Sequence, residues 1–154
     1  MGPVWVGQTS NTSSDLWGVW GSGSSVWIVG GKADPKERTL LLTTNGGTTW
    51  GATTYPAGGP LHAVWGSDLA HIYAVGQGGT ALFSTNGTTW DKLSGLSTNQ
   101  DLYGVWGFSA NDIYVVGSGG LVLRSGENGQ WSVRSPSGLK GDFRCVWGLS
   151  ANNV

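Results

Sequence analysis

Charge is the first thing this chain has little of. Its 154 residues hold 8 lysines and arginines against 9 aspartates and glutamates, a formal net charge of −1. Such a sparse, balanced set gives no long-range attraction toward a phosphate backbone or an anionic membrane, so neither is expected as a partner. Cysteine occurs once, at Cys145, which excludes an internal disulfide and a cysteine-based zinc site and leaves the redox compartment open. No stretch approaches the roughly 18 apolar residues of a membrane-crossing helix. The opening Met-Gly-Pro-Val lacks the basic start and apolar run of a signal peptide. Apolar residues nowhere recur with a 3.6-residue period, and 28 glycines with 10 tryptophans make a poor helix-forming mixture. Short strands joined by tight turns suit that composition.

What the chain does have is a repeat. Leu102 begins LYGVWGFSANDIYVVGSGGLVLRSGENGQWSVRS, and Leu61 begins LHAVWGSDLAHIYAVGQGGTALFSTNGTTWDKLS, which aligns with it without a gap. Trp20, Trp65, Trp106 and Trp147 each close a Val-Trp-Gly, spaced 45, 41 and 41 apart; Trp50, Trp90 and Trp131 are 40 and 41 apart. The first interval is longer because residues 32–38 (KADPKER) are inserted there. A period of roughly 40 to 45 residues holding several short strands is the signature of a propeller blade.

Within one repeat, turn signals divide four strands, A to D. Strand A is read at 102–107, B at 112–117, C at 121–125 and D at 131–135, with the Gly-Gly after B supplying a tight turn. The expected architecture is therefore all-β: a β-propeller of four-stranded antiparallel blades, about 41 residues each. Three whole blades span 16–54, 61–94 and 102–135, flanked by a lone D strand at 3–7 and by an A strand at 143–148 with the start of a B strand. Three blades do not close a ring. The favoured expectation is a portion of a longer repeat protein, with a homo-oligomeric ring as the competing one.

The segment between C and D carries a family resemblance. Thr43-Thr44-Asn45-Gly46-Gly47-Thr48-Thr49-Trp50 fits Ser/Thr-x-Asp-x-Gly-x-Thr-Trp with Asn for Asp, Ser84 to Trp90 is one residue shorter, and Ser125 to Trp131 is more degenerate. Here the chain resembles Asp-box (bacterial neuraminidase repeat) propellers and the related photosystem II assembly-factor type. Its Val-Trp-Gly and Tyr-x-Val-Gly elements look like the tryptophan-rich repeats of large secreted bacterial propeller proteins. The resemblance implies a structural role for these turns, on the face away from any ligand: Thr43, Asn45, Gly47 and Trp50; Ser84, Asn86 and Trp90; Ser125, Asn128 and Trp131. Short Asx side chains can bond the turn backbone directly.

The sialidase chemistry of some relatives needs an arginine cluster with a Tyr/Glu pair and an Asp acid. Only Arg38, Arg124, Arg134 and Arg144 are present, and Arg124 and Arg134 fall on outer strands, so that constellation is not expected. Asp101, Asp112 and Asp142 occupy positions where Asp serves backbone geometry. His62 and His71, the two histidines, fall on different strands of one blade, so a metal site would need carboxylates from other blades. No catalytic residue, metal or cofactor is expected.

Recognition is sought where the repeats differ. One position after the leading Leu or Phe of strand A reads Trp17, His62, Tyr103 and Arg144, between near-constant neighbours. At the entrance of the innermost strands these side chains are expected to ring the channel mouth, with the D–A connections and the 32–38 insertion opening on the same face. A non-catalytic scaffold binding a protein partner is the leading expectation; a glycan-binding, lectin-like propeller and a ring-closing structural module are the alternatives. Abundant Ser, Thr, Asn and Gly, together with the resemblance to exported repeats, favour a periplasmic or extracellular location.

Overall fold

Runs of alternating apolar residues between glycine and Asx turns form strands here, because β-branched and aromatic side chains fill a pleated surface and glycine supplies the reversals. The computed structural model describes residues 4, 6–32, 37–126, 129–150 and 153–154. Twelve strands run through these residues: β1 (Asp15–Ser22), β2 (Ser25–Gly31), β3 (Arg38–Thr43), β4 (Gly51–Ala52), β5 (Leu61–Asp68), β6 (His71–Gly76), β7 (Ala81–Ser84), β8 (Asp91–Lys92), β9 (Leu102–Ser109), β10 (Asp112–Gly117), β11 (Val122–Ser125) and β12 (Trp131–Val133). They form three four-stranded antiparallel sheets, β1 to β4, β5 to β8 and β9 to β12, each strand beside its neighbour in sequence. These are the blades, with β1, β5 and β9 packed side by side as the inner strands.

The three D strands are shorter than their expected span. β4 and β8 keep two residues each and β12 keeps three, and Trp50 and Trp90 precede their strands. An outer edge strand gains ladder bonds on one side only, so little holds it beyond those bonds.

Two cores lie between the sheets. Trp27, Val29 and Leu40 of the first blade close on Leu61, Val64, Ile72, Ala74, Leu82 and Trp90 of the second. Trp65, Tyr73, Val75 and Ala81 of the second close on Leu102, Val105, Ile113, Val115 and Leu123 of the third. The second blade thus offers alternate residues of its strands to the blade on either side, as the period of two requires. The Val-Trp-Gly element is explained by this contact. A Cβ added to Gly66 would meet the Trp20 ring at 2.6 Å, and one added to Gly107 would meet the Trp65 ring at 2.6 Å. Trp20 and Trp65 each sit on the glycine of the next copy.

Cross-blade hydrogen bonds reinforce the stack. Trp27 Nε1 donates to Gly87 O (2.8 Å) in the next blade's outer turn, and Tyr73 Oη donates to Ala110 O (2.9 Å) between β9 and β10. These ties lie at the end of the blades that carries the A–B and C–D turns. At the other end the D–A connections cross the B–C turns: Gly78 N donates to Asp101 Oδ1 (2.8 Å) and Gly119 N to Asp142 Oδ1 (3.1 Å). Gly79 has φ of 74° and its missing Cβ would overlap Thr98, so glycine is needed there for both backbone and space.

The flanking segments differ from expectation. Of the D strand expected at 3–7, Pro3 and Trp5 lie outside the described residues, and Val4, Val6 and Gly7 are in no strand. The A strand expected at 143–148 is not laddered either. An inner strand draws its ladder bonds from the B strand of its own blade, and this segment is held instead by Phe143 N donating to Gly117 O (3.0 Å). Beyond it Ser150 bridges to Asn153, the counterpart of Ser109 opposite Asp112.

Candidate recognition site at the inner strands

Leu102 pairs with Gly117 and Gly104 with Val116, so β9 spends one residue more than β10 over the same span. The extra residue is Tyr103. The same slip falls between Leu61 and Ala63 and between Leu16 and Gly18, leaving His62 and Trp17 as the unpaired residues. A β-bulge removes its residue from the strict in-out alternation and re-aims the side chain. The position that varies between repeats is therefore the one that the sheet does not use for pairing.

Re-aimed in this way, the side chains meet. Trp17 and His62 have ring centroids 5.3 Å apart, tilted by 52°. His62 and Tyr103 stack at 5.2 Å with 30° between their planes. The Arg144 guanidinium lies over the Tyr103 ring, 4.0 Å from its centroid, a favourable cation–π distance. Trp17, His62, Tyr103 and Arg144 thus form one continuous row, contributed in order by the three blades and the segment after them. Gly18, Ala63, Gly104 and Cys145 lie behind the row and border, with it, an open groove of about 290 Å³.

Polar contacts fix the row. His62 Nδ1 is 2.8 Å from Leu102 O; a carbonyl accepts only, so Nδ1 carries the proton and Nε2 is left for other contacts. Tyr103 Oη reaches Asp101 Oδ2 (3.5 Å), and Arg144 pairs with Asp142 (2.8 Å). Asp101 and Asp142 are the same two aspartates that receive the Gly78 and Gly119 amides, so each spans the preceding blade's B–C turn while steadying the side chain two residues on. Arg38 closes the insertion, donating to Pro56 O (2.9 Å) and lying 4.7 Å from the centre of the Tyr55 ring. Residues 33–36 of the insertion lie outside the described residues.

The Asp-box-like turns occupy the opposite end. Thr43 Oγ1 accepts from Gly47 N (3.0 Å), and Asn45 Oδ1 accepts from Thr43 Oγ1 (2.8 Å) and Thr49 N (3.0 Å). Asn86 Oδ1 accepts from Thr88 N and Thr89 N, both at 2.9 Å, while Ser84 Oγ accepts from Gly87 N (2.8 Å). Ser125 Oγ accepts from Ile113 N (2.9 Å) of β10 and donates to Asn111 O (3.2 Å) in the turn before it. Asn128 lies outside the described residues. Trp90 is buried, and Trp50 and Trp131 are half-buried.

His71 is remote from His62, at the A–B turn end. It binds the Asp68 carboxylate at 2.9 Å, and that hydrogen bond holds Asp68 below the usual carboxylate range. Arg124 of β11 forms a two-pronged pair with Asp112 of β10 (2.8 and 3.1 Å) and lies over Tyr114. Two features had no reading in the sequence: the bulge, and the cross-blade ties from Trp27 and Tyr73. The first shows only in the pairing, where four steps separate Leu102 from Trp106 but three separate Tyr114 from Gly117, the residues they pair with.

With the geometry in hand, comparison with known proteins gives the class. No family model matches the sequence, and no curated protein does. Among solved structures, YCF48 from Cyanidioschyzon merolae superimposes over 80% of this chain and 38% of its own, with a TM-score of 0.62 and 23% identity. The computationally designed Ika4 protein superimposes over 97% of this chain and 89% of its own, with a TM-score of 0.68 and 17% identity. An ancestral GH74 enzyme does so over 96% of this chain and 21% of its own, with a TM-score of 0.68 and 17% identity. At these identities the likeness is one of fold, and the fold is the β-propeller. The chain spans well under half of the YCF48 chain and nearly all of the designed one.

Proposed function

We propose that the chain is a non-catalytic propeller scaffold that binds a protein partner on the end carrying Trp17, His62, Tyr103 and Arg144. One observation carries this reading: the four side chains that differ between otherwise like repeats stand on unpaired or unladdered positions and touch in a row at one opening. Packing requires sameness, and a row of dissimilar rings and a cation is chemistry spent on something outside the sheet. The D–A connections and the insertion border the same end and enlarge the surface.

The state of the carboxylates supports a binding rather than a hydrolytic role, although one structural relative is an enzyme. Glycoside hydrolysis needs two carboxyl groups facing a common substrate. Here Asp101 and Asp142 hold glycine amides, Asp112 holds Arg124, and Asp68 holds His71. A sugar-binding role is disfavoured by the row itself. Stacking on a sugar needs a free ring face; His62 lies between Trp17 and Tyr103, and Arg144 covers the next face of Tyr103, so Trp17 alone keeps one open. Elsewhere along the row ring edges and polar tips remain, which suit a polypeptide surface.

Trp17→Ala and Tyr103→Ala test the reading. Each is expected to leave unfolding free energy within about 1 kcal/mol of the parent, while a partner captured by the parent from its native extract is lost. Unchanged capture by both variants, or specific signals on a glycan array, would count against a protein-binding role for this end. A localisation outside the cytoplasm is part of the same proposal, supported by the resemblance to exported repeats, and fractionation of the native host tests it.

A further inference from the structure

Within the row, His62 is the residue whose free nitrogen can accept a hydrogen bond. The Trp17 indole and the Arg144 guanidinium carry donors only, and the Tyr103 hydroxyl is turned to Asp101. The Nδ1 proton of His62 is held by Leu102 O at 2.8 Å, so Nε2 of the neutral ring keeps its lone pair. Leu102 opens β9 and is fully buried, which makes that carbonyl a fixed anchor. Trp17 and Tyr103 lie on either side of the imidazole. The ring is thus held by one nitrogen and by its faces. His62 is half-buried, and among the described residues nothing bonds Nε2.

The charged and titratable groups on the elements packed around His62 are engaged elsewhere or make no contact with that atom. β6, its ladder partner, carries His71 at the opposite end of the blade, bound to Asp68. β1 contributes Asp15 and β3 contributes Arg38, which lies on Tyr55 and donates to Pro56 O. On the other side Asp101 holds Tyr103 and Asp142 holds Arg144. A lone pair with no answer inside the fold is left facing the groove that the row borders.

Given the protein-binding reading of this end, we infer that the partner is held by a polypeptide segment that presents a hydrogen-bond donor to His62 Nε2, and is released when that ring gains a proton. Protonated, Nε2 becomes a donor itself. Two donors then face each other across the contact, and one of them stays unpaired and desolvated. The charge changes as well, since the row then holds cations on both sides of Tyr103, at His62 and at Arg144. Binding is therefore present above the range in which histidine side chains titrate and is lost below it.

Ring nitrogen shifts in the NMR spectrum of the parent test the first half: the tautomer protonated on Nδ1 is expected at pH 8, and a lone proton on Nε2 would overturn the inference. A display library of random peptides, panned on the parent at pH 8, tests the second half. The enriched peptides are expected to bind the parent at least about tenfold more weakly at pH 5. His62→Gln keeps an amide N–H for Leu102 O and an amide oxygen for the partner without a titrating ring, so its affinity for the same peptides should change by less than about twofold. His62→Phe keeps a ring between Trp17 and Tyr103 but no acceptor, and should bind weakly at both pH values. Equal binding by the parent at both pH values, or parent-like binding by His62→Phe, would overturn the inference. Trp17→Ala and Tyr103→Ala separate it from the reading beneath. Peptides lost by both variants yet indifferent to pH remove the His62 contact alone, whereas peptides kept by both at pH 8, or a library that yields none, remove the site itself.

Discussion

The inner strands β1 and β5 have nearly the same sequence plan and opposite surroundings. Leu16, Val19 and Trp20 of β1 correspond to Leu61, Val64 and Trp65 of β5, yet Leu16 and Val19 are largely open while Leu61 and Val64 are enclosed. Both strands pair in the same way with their own B strands, and both carry the bulge. The difference teaches that ladder and bulge belong to the single blade, whereas burial belongs to the pair of blades. A repeat of this kind makes its sheet alone and its core with a neighbour.

The sharpest way to break that comparison is to place the same charge at both positions. Val64→Asp buries an unpaired carboxylate between the first two blades and is expected to cost about 3–5 kcal/mol, enough to unfold much of a marginal domain. Val19→Asp, measured in dilute solution, should fall within about 0.5 kcal/mol of the parent. Urea denaturation of the two variants decides it, and equal losses would show that the first blade's open face is enclosed.

A smaller effect sharpens the role of the Trp-on-Gly seat. Gly66→Ala forces a methyl into the Trp20 ring and is expected to cost about 1–3 kcal/mol. In Gly51→Ala, the new methyl meets only Leu42 O at 3.8 Å, and a change below about 0.5 kcal/mol is expected. Thermal unfolding of both variants gives the contrast.

The smallest effect is a titration at the enclosed face. Tyr55 lies in the core between the first two blades, and burial pushes its hydroxyl up to about 12, a shift that the nearby Arg38 guanidinium partly opposes. An unfolded tyrosine ionises near pH 10. The folded state therefore keeps the proton more tightly, and this contribution to stability is complete below about pH 10 and is lost as pH rises toward 12. Absorbance of tyrosinate against pH should show late ionisation from Tyr55 and from Tyr73, which burial also pushes up, and Tyr55→Phe should remove the Tyr55 share of it.

Much of this arrangement was legible beforehand because packing repeats itself. The Val-Trp-Gly spacing announced the blades, and Asn45 and Asn86 were readable as turn formers because an Asx carbonyl beside two following amides has few other uses. The row of Trp17, His62, Tyr103 and Arg144 could be proposed because sameness around it made the variation visible. What could not be read was why those positions tolerate variation: a one-residue slip between strands leaves the alternation of side chains looking regular along either strand taken singly. The short D strands escaped for a related reason, since the length of an edge strand is set by its one neighbour and not by its own residues.

The extra residue in each inner strand has one further consequence. A side chain at Trp17, His62 or Tyr103 can be exchanged without asking the sheet for a new register, because it forms no cross-strand pair. Each blade therefore carries an interchangeable fitting on a fixed frame, and new specificities can be written into the row one copy at a time while the stack beneath is left as it was.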